Sequence, residues 1–128
     1  SGSVSEVPTS SERRVRIEGT HAAVAPHVLI ADGNAATRTV RETQLRAAGA
    51  RVSVARTGFE AIVKASCQVP DLILLDESLS GIEPSETVRL LQTCPVTAHI
   101  AIVRLGHGRR VPRRVITGLS RSRIERPN

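Results

Sequence analysis

The stretch that most constrains the fold is Asp71-Leu72-Ile73-Leu74-Leu75-Asp76, which follows Pro70. It places four successive apolar residues between two carboxylates. A strand that faces water on one side alternates apolar and polar residues, whereas a strand buried on both faces does not. The stretch therefore predicts a central strand of a parallel sheet, with Asp76 at its carboxyl end.

The flanking sequence alternates between strand and helix patterns. Strands are predicted at 27–31, 52–55 and 99–105, and helices at 35–48, 59–68 and 84–92, with Pro84 opening the last of these helices. In the first helix we expect Val40 and Leu45 to point inward. Four strands separated by three helices predict an α/β fold, a doubly wound parallel sheet. Ligands of such sheets bind at the carboxyl ends of the strands, where Asp32 and Asp76 fall.

The positive charge is concentrated at one end of the chain. Residues 1–26 carry no net charge and residues 27–103 carry −1, whereas residues 104–128 hold eight arginines against Glu125 alone. Three parts are therefore predicted: a flexible N-terminal tail over 1–26, an α/β domain over 27–105 and a flexible arginine-rich segment over 106–128. An anionic ligand is expected for the last part.

The arginine-rich segment has a helical period that is interrupted in two places. Val111, Val115 and Leu119 fall on one helical face, with Arg110, Arg114 and Arg121 on the opposite one. Pro112 and Gly118 weaken such a helix, and Gly106 and Gly108 supply a hinge. We therefore expect the segment to move independently and to become ordered when its ligand binds.

Arginine rather than lysine indicates the chemistry of that ligand. A guanidinium fork binds phosphate with two hydrogen bonds, stacks on rings and pairs with the O6 and N7 acceptors of guanine. The chain has one Phe and neither Trp nor Tyr, so it lacks the stacking platform of most single-strand nucleic-acid binders. A basic tail that binds nucleic acid through charge alone stays open as an alternative.

Two motifs resemble the response-regulator receiver (CheY-like) domain: Ile30-Ala31-Asp32-Gly33-Asn34 and the stretch that ends at Asp76. The resemblance implies that Asp76 is the phosphoacceptor and that Asp32 and Asp76 hold Mg²⁺. Gly33 stands where the family has a second acid, Val103-Arg104-Leu105-Gly106 offers no hydroxyl, and the family's lysine on a fifth strand has no counterpart. The family's last helix, strand and helix are also not recognisable. Two hypotheses remain: a vestigial acidic pair, or a phosphorylatable receiver that uses Asp76.

The arginine-rich segment resembles that of the Cle proteins, CheY-like effectors of cyclic di-GMP. The resemblance implies a non-enzymatic signalling protein that captures cyclic di-GMP and docks onto the flagellar motor switch, affecting motility and surface attachment. It assigns the ligand to Arg109, Arg110, Arg113, Arg114, Ser120, Arg121, Ser122, Arg123 and Arg126. Without an apolar run of membrane length or a signal-like start, a cytoplasmic location is expected.

Overall fold

The computed structural model describes residues 24–125, and within this range the side chains of residues 24–120. Its elements confirm the predicted alternation and add one helix. They are, in chain order, β1 (His27–Ala31), α1 (Ala35–Ala47), β2 (Arg51–Ala55), α2 (Gly58–Gln68), β3 (Leu72–Asp76), α3 (Pro84–Thr93), β4 (Ala101–Leu105) and α4 (Arg113–Glu125). Among the described residues, no helix is long and apolar enough to cross a membrane.

The four strands form one parallel sheet in the order β2-β1-β3-β4. All five residues of β1 and all five of β3 are buried, as expected for central strands covered on both faces. The doubly wound α/β fold is therefore confirmed. Among the described residues β4 is the last strand, and one helix, α4, follows it.

Helices cover both faces of the sheet. On one face, α2 and α3 pack through Ala61, Ala65 and Leu91 against alternate residues of β1 and β3. On the other, α1 contributes Leu45, and the segment after β4 contributes Val111 and Leu119. Because successive strand residues point to opposite faces, both cores draw on the same two central strands.

The structure differs from the prediction of a flexible, independent segment over 106–128. Residues 113–125 form α4, and Val111 and Leu119 are only 4% and 7% exposed in the same core as Val28 and Ile30. Pro112 precedes the first helical residue, where a missing N–H costs nothing. The cost of Gly118, about 1 kcal/mol against alanine, is offset by the burial of the apolar face. Within α4 the predicted faces are confirmed for Val115 and Leu119, which pack in the core, and for Arg114, which is exposed. Arg110 and Val111 precede the helix.

The expected inward direction of Val40 is wrong. Its side chain is 43% exposed, while Leu45 is fully buried. Five helical residues correspond to about 500°, so these two positions cannot share a face. The residue that lies on the face of Leu45 is Arg41, one turn earlier, and it is 1% exposed.

Candidate functional site

The two predicted carboxylates meet at the carboxyl edge of the sheet. Asp32 directly follows β1 and Asp76 ends β3, and both are fully buried. Asp32 Oδ1 accepts a hydrogen bond from the Asn34 N–H (2.9 Å), and its Oδ2 accepts one from the Thr37 hydroxyl (2.6 Å). Asn34 also caps α1 by accepting from the Thr37 N–H, so the helix cap and the acidic side chain are fixed together.

Asp76 is bound by the loop that follows it. Its Oδ1 accepts hydrogen bonds from the Ser78 N–H (2.8 Å) and the Ser78 hydroxyl (2.6 Å), and His107 Nδ1 lies 3.4 Å away. Burial raises the pKa of Asp76, but the hydrogen bonds from Ser78 and Arg41 outweigh it and bring this pKa below its usual value. Asp76 is therefore a carboxylate at neutral pH.

A guanidinium group lies between the two acids. Arg41 Nη1 is 3.1 Å from Asp32 Oδ2 and 2.6 Å from Asp76 Oδ2. The other two nitrogens of Arg41 donate to backbone carbonyls beyond β4: Nε to Arg109 O (2.9 Å) and Nη2 to Gly106 O (3.1 Å). Arg41 thus connects α1, the ends of β1 and β3, and the loop that leads to the arginines.

The first cluster of predicted arginines lies in that loop and in the first turn of α4. Arg109, Arg110, Arg113 and Arg114 are all exposed, and no carboxylate among the described residues pairs with them. Three of them line a cleft of about 390 Å³ at the end of β4, together with Arg104, Leu105, Gly106 and Pro112. We call this the arginine cleft; Arg113 lines a neighbouring groove instead.

Arg104 was not among the predicted ligand residues, although it lines the arginine cleft. It differs from the others in being paired: its Nε and Nη2 contact Glu77 at 2.6 and 2.9 Å. An arginine within β4 gives no sequence signal that separates it from a surface residue. Only the turn of the chain after Gly106 places it beside Arg109 and Arg114.

Next to the arginine cleft lies an apolar groove between α1 and α4. It has a volume of about 500 Å³ and shares Arg110 with the arginine cleft. Both volumes fall in the range of about 300–1,000 Å³ that is typical of small-molecule sites. The groove is lined by Thr39, Val40, Thr43, Gln44, Ala47, Arg110 and Ile116.

The second predicted cluster lies farther along α4. Ser120 is half-buried, and its hydroxyl is 3.5 Å from Ala48 O, so it faces α1 rather than the arginine cleft. The backbone of Arg121, Ser122 and Arg123 belongs to α4, but their side chains lie outside the described residues. Arg126 lies outside them altogether.

No protein-family model matches the chain. A curated relative, the response regulator PleD of Caulobacter vibrioides, is 32% identical over 92 residues, which cover 69% of this chain and 20% of PleD. The chain thus spans about a fifth of that relative's length. The structure of the chemotaxis response regulator CheY4 of Vibrio cholerae superimposes with a TM-score of 0.61 and 25% identity, over 63% of this chain and 68% of CheY4.

The chain carries a CheY-like response-regulator receiver domain. A further neighbour shows the fold alone, at 20% identity: the receiver domain of the sensor histidine kinase PA1611 from Pseudomonas aeruginosa PAO1, with a TM-score of 0.68. It covers 80% of this chain and 100% of that domain, and it holds a magnesium ion in its active-site cleft.

The acidic pair of this receiver domain does not fit Mg²⁺ while the Arg41 guanidinium lies between its two carboxylates. The ion needs near-ideal octahedral oxygen coordination at about 2.0–2.1 Å. Asp32 and Asp76 supply two carboxylates and Gly33 supplies none, and Arg41 Nη1 contacts one oxygen of each acid, at 3.1 and 2.6 Å. No group of three or more His, Cys, Asp or Glu side chains within residues 24–120 could hold a metal.

Sequence reasoning missed the residue that organises this receiver site. Arg41 lies on the same face of α1 as the buried Leu45, but a charged residue in a helix is normally assigned to the surface. The one available signal was its position four residues before Leu45, in the helix that follows Asp32. His107 also belongs to the site, because its Nδ1 lies 3.0 Å from the Ser78 hydroxyl.

Proposed function

We propose that this receiver domain is a cyclic di-GMP-binding signalling effector. The observation that carries the proposal is the arginine cleft, where Arg109, Arg110 and Arg114 converge at the carboxyl end of a sheet strand, none of them paired with a carboxylate of the described residues. Ligands of doubly wound sheets bind at this edge. The resemblance of the segment to the Cle effectors points to the same class of ligand.

The chemistry of cyclic di-GMP matches the two adjoining pockets. Its two phosphates are suited to guanidinium forks, and the guanine O6 and N7 atoms accept a bidentate pair from an arginine. Its flat bases would lie against the apolar groove, where Val40 and Ile116 supply aliphatic contact and Arg110 a stacking plane. Arg110 lines both pockets, so we assign it the central contact.

We further propose that the ligand-bound protein docks onto the flagellar motor switch and thereby affects motility and surface attachment. The receiver fold supports this proposal, and so does the likeness to CheY4, whose name places it in chemotaxis. Binding of the ligand over α1 and α4 would change the charge of this face from basic towards neutral. A partner that recognises that face can then distinguish the two states.

The test is a calorimetric titration with cyclic di-GMP. A charge-assisted hydrogen bond contributes about 1.5–3 kcal/mol, so Arg110→Ala and Arg114→Ala should each weaken binding by roughly 10- to 150-fold. Arg114→Lys keeps the charge but loses the fork and should also weaken binding. The matched control is Arg89→Ala, which removes an exposed arginine from α3, paired with Glu86 on the other face of the sheet.

Two outcomes would contradict the ligand assignment. Equal weak binding of cyclic di-GMP and GTP, unaffected by Arg110→Ala, would leave no specific site. Tight binding of duplex DNA that grows with duplex length and disappears with salt would favour the nucleic-acid hypothesis. Docking is tested separately with purified flagellar motor switch protein: we expect binding that requires cyclic di-GMP and is lost in Arg114→Ala.

The alternative, a receiver phosphorylated at Asp76, is favoured by the position of this carboxylate at the end of β3. Two observations count against phosphorylation: the Arg41 guanidinium contacts Asp76 Oδ2, and the Asp76 side chain has no exposed surface. Incubation with acetyl phosphate and Mg²⁺ separates the hypotheses. A mass increase of one phosphoryl group that disappears in Asp76→Asn would establish the alternative.

A further inference from the structure

Arg41 is the largest side chain with almost no solvent exposure, and it is charged. Burial of an unpaired ion costs several kcal/mol, so such a residue persists only with full compensation. Arg41 has that compensation from four acceptors: Asp32 Oδ2, Asp76 Oδ2, Gly106 O and Arg109 O. The same contacts compensate the two buried carboxylates.

The guanidinium lies where two carboxylates at neighbouring strand ends would otherwise bind a divalent ion. Its Nη1 contacts one oxygen of each acid, at 3.1 and 2.6 Å. The remaining oxygens, Asp32 Oδ1 and Asp76 Oδ1, accept from the Asn34 and Ser78 N–H groups. A cation that enters this site must therefore displace Arg41 Nη1 from Asp32 Oδ2 and Asp76 Oδ2.

Arg41 also ties the acidic pair to the start of the arginine-rich segment. Arg41 binds Gly106 O and Arg109 O, the carbonyls at the two ends of a turn. Within this turn the Arg109 N–H donates to Gly106 O (3.0 Å). One turn farther along α1, Gln44 Oε1 accepts from the Val111 N–H (2.9 Å). The backbone from Gly106 to Val111 is thus held against α1 at both ends.

We infer that Arg41 is a built-in cation that replaces the divalent metal of the acidic pair and positions the arginine loop, residues 106–111. In this arrangement Asp32 and Asp76 orient Arg41, and Arg41 fixes the backbone that presents Arg109 and Arg110. The acidic pair serves the arginine cleft as a structural anchor. This inference does not depend on the identity of the ligand.

The first test is a titration of the full chain with MgCl₂, followed by amide resonances of Asn34 and Ser78. We expect no shift in the wild-type protein at millimolar Mg²⁺ and a saturable shift in Arg41→Gln, whose acidic pair is free. A saturable shift in the wild type would overturn the inference, and so would an Arg41→Gln variant that folds but ignores Mg²⁺. A purely structural arginine would not change the response to metal.

The second test uses Arg41→Lys, which keeps a positive charge near the acids and cannot make all the bonds of a guanidinium. Loss of two backbone contacts should speed hydrogen exchange at the Arg109 amide by roughly 10- to 30-fold relative to the amides of β1. The control is Arg46→Lys, an exposed arginine of α1 that pairs with Glu42. Equal exchange at Arg109 in Arg41→Lys and the wild type would refute the positioning role. Both readouts are independent of cyclic di-GMP, so failure of ligand binding is distinguishable from failure here.

Discussion

Replacement of Arg41 by methionine removes the charge between Asp32 and Asp76 and keeps an unbranched aliphatic side chain. Both acids are then left buried without a cationic partner. At an effective dielectric constant near 20, two unit charges about 4 Å apart interact by about 4 kcal/mol, part of which is offset by desolvation. Removal of one partner of a buried pair typically costs about 3–5 kcal/mol.

We expect Arg41→Met to lower the free energy of unfolding by about 3–5 kcal/mol, since the two carboxylates and two carbonyls lose their shared donor. The free energy of unfolding of a whole domain is about 5–15 kcal/mol, so the variant should be only marginally stable. If the repulsion between the acids is the main cost, Asp32→Asn and Asp76→Asn in the Arg41→Met background should restore about 2 kcal/mol or more.

The measurement is urea unfolding followed by far-ultraviolet circular dichroism, because the chain has neither Trp nor Tyr for fluorescence. A double-mutant cycle of Arg41→Met and Asp76→Asn isolates the coupling, which we expect to reach the upper part of the usual range of about 0.5–3 kcal/mol. Arg46→Met, on the exposed side of α1, serves as the control. A cost below about 1 kcal/mol for Arg41→Met, or additivity within about 0.5 kcal/mol, would refute the reasoning.

Two further predictions concern stability. Gly118→Ala should raise the free energy of unfolding by about 0.5–1 kcal/mol, because a Cβ at this helical position meets no atom within 4 Å; no change in urea unfolding would mean that α4 does not unfold with the sheet. Gly81→Ala is the opposite control and should destabilise, since its φ is +89°. Asp76→Asn should lower the free energy of unfolding most, relative to the wild type, near neutral pH. The folded-state pKa of Asp76 lies below its usual value, so the carboxylate stabilises the fold above about pH 3.9. This contribution is lost as the pH falls through the folded-state pKa. A stability difference that stays constant from about pH 7 to about pH 3 would contradict that assignment.

The fold could be predicted from sequence because its decisive pattern is local. The run from Leu72 to Leu75 has no polar alternation, and only burial on both faces accounts for it. Parallel strands then place Asp32 and Asp76 at one edge, since both follow buried strands. The excess of arginine after Val103 likewise needed no coordinates, because it is a matter of composition.

The sequence was a poorer guide to which side chains of a helix point towards the core. Val40 was expected inside and Arg41 was not considered, since burial is ordinarily inferred from apolarity. Arg41 is buried because three separate parts of the chain supply acceptors around it: the end of β1, the end of β3 and the loop after β4. That coincidence arises only when the sheet is assembled.

The parallel α/β architecture, the acidic edge and the basic C-terminal charge follow from hydrophobic period and composition, which are properties of the unfolded chain. Tertiary structure alone decided that α4 covers the sheet and that Arg41 joins the acids to the arginine loop. The burial of α4 and the burial of Arg41 have the same cause. A weak helix and a buried charge are each unfavourable in isolation, and each becomes stable only against surfaces that distant segments provide.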